Sequence, residues 1–315
     1  MGRYLLQRLL TAIPTLILLT FAAFALNAWA RGDPAELALR QGGVEPTPEA
    51  IAAFHEKMGL NDPLPVRYVH WMSNLAHGDL GISYLDGREV SDKIGERLWP
   101  TLKLGITAFV VTTLLGIGFG TLFGLFANSW FDVGGRFVSQ LLAAIPSFWL
   151  GLLLISLVAE KTSWLPVGGY GGFRNMVLPV TALACGASAS LMRFTRSAVM
   201  EVWRLDYVRT ARAKGLRQTR VALQHALPNA FLPVLTLLGL RFGQILAGAI
   251  IIEIIFSWPG MGSAIVTAIS GRDLPVIGAY VLLAGTLFIL VNLATDLSYA
   301  LLDPRVRLDG GRTQR

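Results

Sequence analysis

The stretch with the most chemical character runs from Arg193 to Pro233. It reads RFTRSAVMEVWRLDYVRTARAKGLRQTRVALQHALPNAFLP, the only strongly basic segment among long apolar runs. Val202, Leu205 and Val208 recur at helical spacing with arginines between them. Lys214 followed by Gly215 reads as a helix C-terminus, a cation at the negative end and then a residue that accepts positive φ. A second helix is expected from about Arg217 to Ala226, bounded by Pro228. Three readings fit two short basic helices with a break. Ala211, Gly215 and Val221 have the spacing of a DNA-binding helix-turn-helix. Positive charge alone would also suit an ordinary cytoplasmic loop. The third reading is a docking element for a cytoplasmic partner. Apolar runs long enough to cross a bilayer flank the segment on both sides, which speaks against nucleic acid.

Other chemistry is sparse. The single cysteine, Cys185, lies in an apolar run, so no disulfide or thiolate metal cluster forms within the chain. Four histidines are scattered without metal-ligand spacing. No G-x4-G-K-[ST] phosphate loop is present, so any ATP and its Mg are expected on another polypeptide, and the chain itself is expected to bind no cofactor. Carboxylate pairs, triads and metal clusters are missing near the apolar runs, which argues against a membrane enzyme. With 315 residues, 53% hydrophobic and 15% charged, and a mean hydropathy of +0.55, the chain reads as an all-α polytopic membrane protein. Its net charge of +7 is unevenly spread and does not imply a nucleic-acid partner.

The pattern Arg209-Thr-Ala-x3-Gly215-x9-His225-x-Leu227-Pro228 resembles the EAA loop of ATP-binding-cassette importer permeases, usually Glu-Ala-Ala-x3-Gly-x9-Ile-x-Leu-Pro. Arg209, Thr210 and His225 depart from it. The run from Asp206 to Leu216 looks like the dipeptide, oligopeptide and nickel branch. Further phrases resemble the same branch in the same order: Leu60-Asn-Asp-Pro-Leu-Pro-Val-Arg-Tyr68, Gly78-Asp-Leu-Gly-Ile-Ser83, Ile145-Pro-Ser-Phe-Trp-Leu-Gly151, Trp164-Leu-Pro-Val-Gly168 and Phe256-Ser-Trp-Pro-Gly-Met-Gly-Ser263. The tail phrase Leu302-Asp-Pro-Arg-Val-Arg307 is also family-like. The resemblance implies a type I importer permease fold with six transmembrane helices. It implies partners: a second homologous permease subunit, two ATPase subunits that bind ATP and Mg, an extracytoplasmic substrate-binding protein, and the lipid bilayer. It makes Asp206, Tyr207, Arg209, Thr210, Ala211, Lys214, Gly215 and Leu216 the expected ATPase-coupling residues. The implied cargo is a di- or oligopeptide or another peptide-like solute. A stand-alone carrier would need intramembrane acids for ion coupling, and Asp296 alone is a thin basis.

The apolar runs predict the scaffold. A first span covers Leu9 to Ala30; its rival, a cleaved signal peptide, is disfavoured by the length of the run. Residues 31–97 form an acidic extracytoplasmic loop with helical pieces near Pro48–Met58 and Pro65–Ala76. The permease domain covers 98–302, with the coupling loop at 201–228 and a cytoplasmic tail at 303–315. Its spans are Trp99–Ala127, Phe137–Ala159 kinked at Pro146, Met176–Met192, Asn229–Ile252 and Leu274–Ala300. Gly116, Gly120 and Gly124 have the small-x3-small spacing of close helix contact. Short-loop charge puts Arg3, Arg8, Arg136, the bases of 193–220 and Arg305 on one side, so both termini are expected in the cytoplasm of a bacterial inner membrane.

Arg241 lies midway along the fifth span, where a charge costs at least about 2.5–3.5 kcal/mol. Arg241, Gln244 and Gly248 share one helical face, and Asn292 and Asp296 lie near the inner end of the sixth span. One reading makes these five residues part of the translocation path, with Arg241 attracting a substrate carboxylate. The other makes Arg241 half of a buried ion pair with Asp296, Glu253 or a second permease subunit.

Overall fold

A chain in lipid must satisfy its backbone N–H and C=O groups internally, and this one does so with helices. The computed structural model describes residues 2–30 and 32–302, with the side chains of 2–6, 9, 218, 219, 225, 232 and 299–302 outside the description. The tail 303–315 and the His225 side chain, both named above, thus lie outside the described residues. The helices are α1 (Gly2–Trp29), α2 (Pro34–Gln41), α3 (Pro48–Lys57), α4 (Leu64–Ala76), α5 (Val90–Leu125), α6 (Trp130–Ala144) and α7 (Ser147–Leu154). After a π-helical continuation of α7 over Ile155–Glu160 come α8 (Phe173–Trp203), α9 (Asp206–Ala213) and α10 (Gln218–Val221). A π turn at Ala222–Ala226 then leads into α11 (Leu227–Ile255), followed by α12 (Met261–Ser270) and α13 (Leu274–Leu302). Among the described residues, five helices are long and apolar enough to cross a membrane, and the bent pair α6–α7 makes up to six.

Three expectations change at this level. The single kinked span at 137–159 is two helices that meet at 97°. Pro146 lacks an N–H and pushes Ile145 into extended backbone (ψ 120°), so the helix stops and restarts. The short fourth span is instead a 31-residue helix that carries the first part of the basic segment, Arg193 to Trp203, as its own last turns. Pro228 does not end a helix: it sits in the first turn of α11, and the wider π turn before it accommodates the missing N–H.

The chain packs as two compact units, Met1–Pro100 with Pro259–Leu290, and Thr101–Trp258 with Val291–Arg315. They are defined by packing, so they cut through α5 and α13 rather than following the expected edge of the outer loop.

In the first unit, α1 and α4 share an aromatic core. Phe21 and Phe24 meet the Tyr68 ring edge-on at 5.2 Å, and Trp71 lies 5.1 Å from Phe24. Thr20 Oγ1 and Tyr68 Oη are 2.8 Å apart, and Tyr68 donates to the Ile17 carbonyl at 2.9 Å. The loop helices start where capping dictates: Asp33 accepts from Ala35 N at 2.8 Å and Thr47 from Ala50 N at 3.2 Å, each followed by proline at the first helical position. The Asp33-Pro34 pair was therefore a signal for α2, which the sequence reading placed in loop.

A turn closed by the bridge between Ile82 and Glu89 is fixed to the start of α13. Ser83 Oγ donates to Asp273 Oδ2, Tyr84 N donates to Asp273 Oδ1 at 3.0 Å, and Lys93 Nζ bonds Ser83 Oγ at 2.9 Å and Asp86 at 2.9 Å. Burial pushes the Asp273 carboxyl above its ordinary 3.8, against the lowering effect of the Ser83 and Tyr84 bonds. The folded state thus binds the proton more tightly than the unfolded chain does. The stabilisation is complete below the ordinary value and is lost as pH rises through the elevated one. The expected result is that amide protection at 83–90, corrected for intrinsic exchange, falls as pH rises across that window. The fall should vanish in Asp273→Asn, which hydrogen exchange will measure.

In the second unit, α8 is the central post, packed by α11, α6 and α7. The glycine stripe of α5 is a helix contact: a Cβ on Gly120 would lie 2.6 Å from Thr195 Cβ and 2.7 Å from the Met192 carbonyl oxygen of α8. Leu191 and Val199 of α8 pack with Val234 and Leu238 of α11, while Leu183 joins Ile245 and Ala249 further along. At the other end of α11, Gly168 and Gly169 cross the Phe256 carbonyl, with Gly169 N donating to it at 2.7 Å. Tyr170 meets buried Trp258 edge-on at 5.0 Å, and Lys103 Nζ lies 5.3 Å above the Tyr170 ring.

Candidate functional site

The segment 203–226 folds into a small platform. Helix α9 is held by a miniature apolar core of Val208, Ala211 and Val221, backed by Val202, Trp203 and Leu216. Leu205 at its N-cap is extended (ψ 148°), which turns the chain away from α8. The helix ends at Lys214, and Gly215 takes φ +80°, the left-handed conformation that its place after Lys214 predicts. Gly215 N donates to the Arg212 carbonyl at 3.0 Å.

The candidate coupling residues separate by face. Asp206, Tyr207, Arg209, Thr210, Lys214 and Gly215 are exposed. Arg209 lies 3.7 Å from Asp206 on the open surface, a pair of little energetic weight. Ala211 is buried and Leu216 half-buried, so these two hold the platform together rather than face outward. Tyr207 is hydrogen-bonded to Asn229 in the first turn of α11, and partial burial raises its phenol above the ordinary value. Arg212 lies 5.7 Å over the Trp203 ring. The platform is therefore tied to both α8 and α11.

The translocation-path candidates fall on two helices. Arg241 Nη1 donates to Gln244 Oε1 at 2.7 Å, one turn apart on α11, and Arg241 Nε is buried without a partner. The ion pair with Asp296 or Glu253 does not form among the described residues. Glu253 is fully buried near the far end of α11 and accepts from Thr101 Oγ1 at 2.6 Å. Gly248 does not extend an open stripe: a Cβ there would touch Leu183 of α8 at 3.5 Å. Asn292 and Asp296 sit one turn apart on α13, flanking Thr295. That threonine lies so close to Gly239 of α11 that an added Cβ would be 2.6 Å from its Oγ1.

Sequence reading missed one charged cluster. Asp132, fully buried, accepts from Arg196 Nε at 2.5 Å and Nη2 at 2.7 Å and from the backbone N–H of Asn128 at 2.8 Å. Arg136 approaches it at 3.7 Å. Asp132 is the third residue of α6, and Ser129 caps the same turn. The Ser129-x-x-Asp132 spacing was the available signal. This carboxylate neutralises Arg196 and fixes the start of α6 to α8. Arg193, three residues earlier, bonds a neutral partner, Gln140 Oε1, at 3.3 Å.

Residues 116–308 match the family model described as binding-protein-dependent transport system inner membrane component. Residues 1–105 match the model for the N-terminal part of such membrane components. The glutathione transport system permease protein GsiC of Salmonella typhimurium strain LT2 is 39% identical over 307 residues, covering 98% of this chain and 99% of that protein. GsiC of Escherichia coli strain K12 is 38% identical over the same coverage. Among solved structures, an inward-facing form of the MetNI methionine ABC transporter superposes with a TM-score of 0.58 at 16% identity, over 67% of this chain and 96% of that one. That likeness is one of fold.

Proposed function

The chain belongs to the family of inner membrane components of binding-protein-dependent transport systems, and from that premise we propose that it carries a small peptide or peptide-like solute such as a γ-glutamyl tripeptide. It is the permease subunit of an ABC importer, a transport subunit without an ATPase site of its own, and it works with ATPase and substrate-binding partners. The observation that carries the cargo proposal is the identity of 38–39% to glutathione permeases along 98% of the chain.

The complex that fits this reading has this permease, a second homologous permease, two ATPase subunits and one external binding protein. ATP and Mg belong to the ATPases. The exposed face of α9, with Asp206, Tyr207, Arg209, Thr210, Lys214 and Gly215, is the docking surface for one ATPase. Movement of that surface is transmitted through the ties to α8 and α11 described above. In this arrangement residues 31–97 lie outside the cell, and the coupling loop and both termini lie inside. Purifying the assembled complex with its binding protein and identifying the bound solute by mass spectrometry tests the cargo. A bound sugar or inorganic anion, with no peptide-like solute, would overturn it.

Arg241 supplies a further test. A charge inside a span must face protein or a wet path, and Arg241 has a glutamine rather than a carboxylate beside it. Arg241→Gln keeps hydrogen bonding and removes the charge. Uptake of a free-acid peptide is expected to fall about tenfold or more, the worth of a hydrogen bond to a charged group. The complex should assemble normally. Transport assays in proteoliposomes, read beside co-purification of the ATPases, will measure both.

A further inference from the structure

Four of the arginines on α6, α8 and α11 fall into two pairs. Arg196 and Arg136 share the buried carboxylate of Asp132. Arg193 and Arg241 do not: Arg193 bonds Gln140 and Arg241 bonds Gln244, and among the described residues neither has an ion-pair partner. The packing puts them at similar height. Helices α8 and α11 run antiparallel, Leu183 lies against Gly248, and Leu191 packs in one cluster with Val234 and Leu238. Arg193 and Arg241 are therefore about one helical turn apart in level, close enough to repel one another. Gln140 of α6 brings a third helix to the same level.

Two like charges on packed helices without a carboxylate, one of them at the middle of a span, are costly, and the cost falls when an anion sits between them. The glutamine carbonyls hold each guanidinium through one nitrogen; Arg241 Nε is buried, and the other Nη group of each arginine is left for a ligand. From this geometry we infer that Arg193 and Arg241, oriented by Gln140 and Gln244, form a carboxylate-binding station for cargo on the face shared by α6, α8 and α11. The ligand class is a peptide-like solute with at least one free carboxylate. A cargo with two carboxylates matches the two cations best. The inference rests on the permease reading and extends it by adding Arg193 and Gln140 and by fixing the charge of the cargo. Both hydrogen bonds are open to the surface, as access for such a cargo requires.

The test does not depend on knowing the cargo. In a Cys185→Ala background, Gln244→Cys places one thiol beside the two arginines. The assembled complex, with ATPases, is then treated with an anionic or a cationic methanethiosulfonate of similar size, with and without ATP. The anionic reagent is expected to react faster. Arg193→Gln should lower the anion-to-cation rate ratio about tenfold, the size of one unit charge removed at several ångströms in a partly wet site. Arg193→Lys, which keeps the charge, should restore most of the ratio and covers the case in which the glutamine variant assembles poorly. Free-acid peptide should slow labelling and its C-terminal amide should not. Equal rates for both reagents, a ratio indifferent to Arg193, or no reaction with either reagent would overturn the station. The cargo reading stands or falls separately on the solute that copurifies.

Discussion

Membranes containing the Gly215→Val permease are expected to hold normal amounts of inserted protein and to show uptake near background. The reason is local. Gly215 sits at φ +80°, where a left-handed backbone costs an ordinary residue roughly 1–2 kcal/mol and a β-branched one more. Crowding is not the cause, because nothing lies within 4 Å of where its Cβ would be. The strain is relieved only by turning the chain between α9 and α10, which pulls Val208 and Ala211 of α9 off Val221 of α10. Insertion depends on the spans and is unaffected. Gly215→Asn, which tolerates the left-handed region better, should retain intermediate uptake. The assay is uptake together with ATPase co-purification, and normal uptake in Gly215→Val would remove 206–216 from the coupling role.

Gly168→Val is expected to do the opposite and prevent accumulation of folded protein. Here φ is not the constraint. An added Cβ would overlap the Phe256 carbonyl oxygen, which already accepts from Gly169 N at 2.7 Å. A flexible side chain could move aside, but a backbone carbonyl in a closed turn cannot. Overpacking costs about 1–3 kcal/mol and more where the neighbour is rigid. Separating the strands of this crossing would also uncover Phe256 and Trp258, both 1% exposed. Detergent-solubilised protein, heated and followed by size-exclusion fluorescence, should show a markedly lower midpoint or no monodisperse peak. Gly169→Ala is the contrast: φ +86° makes it strained, yet nothing lies within 4 Å of its Cβ, so its loss should be smaller.

Much of this was legible in the sequence. Long uncharged runs are unambiguous in lipid, so the scaffold emerged with errors mainly at helix ends. Lys214-Gly215 carried its own conformation, since few residues other than glycine adopt it cheaply. The loop helix at 48 announced itself by cap and proline, and the one at 64 by proline alone. What stayed hidden depended on long-range contacts. Nothing local in Asp132 names Arg196 as its partner, 64 positions away. The pairing of Asp273 with Ser83 spans 190 positions. Arg193 was read as lying after the end of a helix, whereas α8 continues through it to Trp203. Glycines at 120 and 124 could be read as contact residues, but which helix they meet is decided only by packing.

The elbow at Ile145-Pro146 has a geometric consequence. Its limbs hold 15 residues on one side and 8 plus 6 on the other. At helical rise they measure about 22 Å and about 21 Å, each too short for a hydrocarbon core of about 30 Å. Joined at 97°, they subtend a chord of about 28 Å, close to that thickness. Straddling the bilayer as a chevron, the pair would make a single traverse that neither limb achieves alone. Counted as one span, the pair brings the total among the described residues to six, and an even number would return a chain to the face it left. On that count the parity of the topology depends on both limbs together, and deleting one limb would exchange the sides on which everything after it emerges.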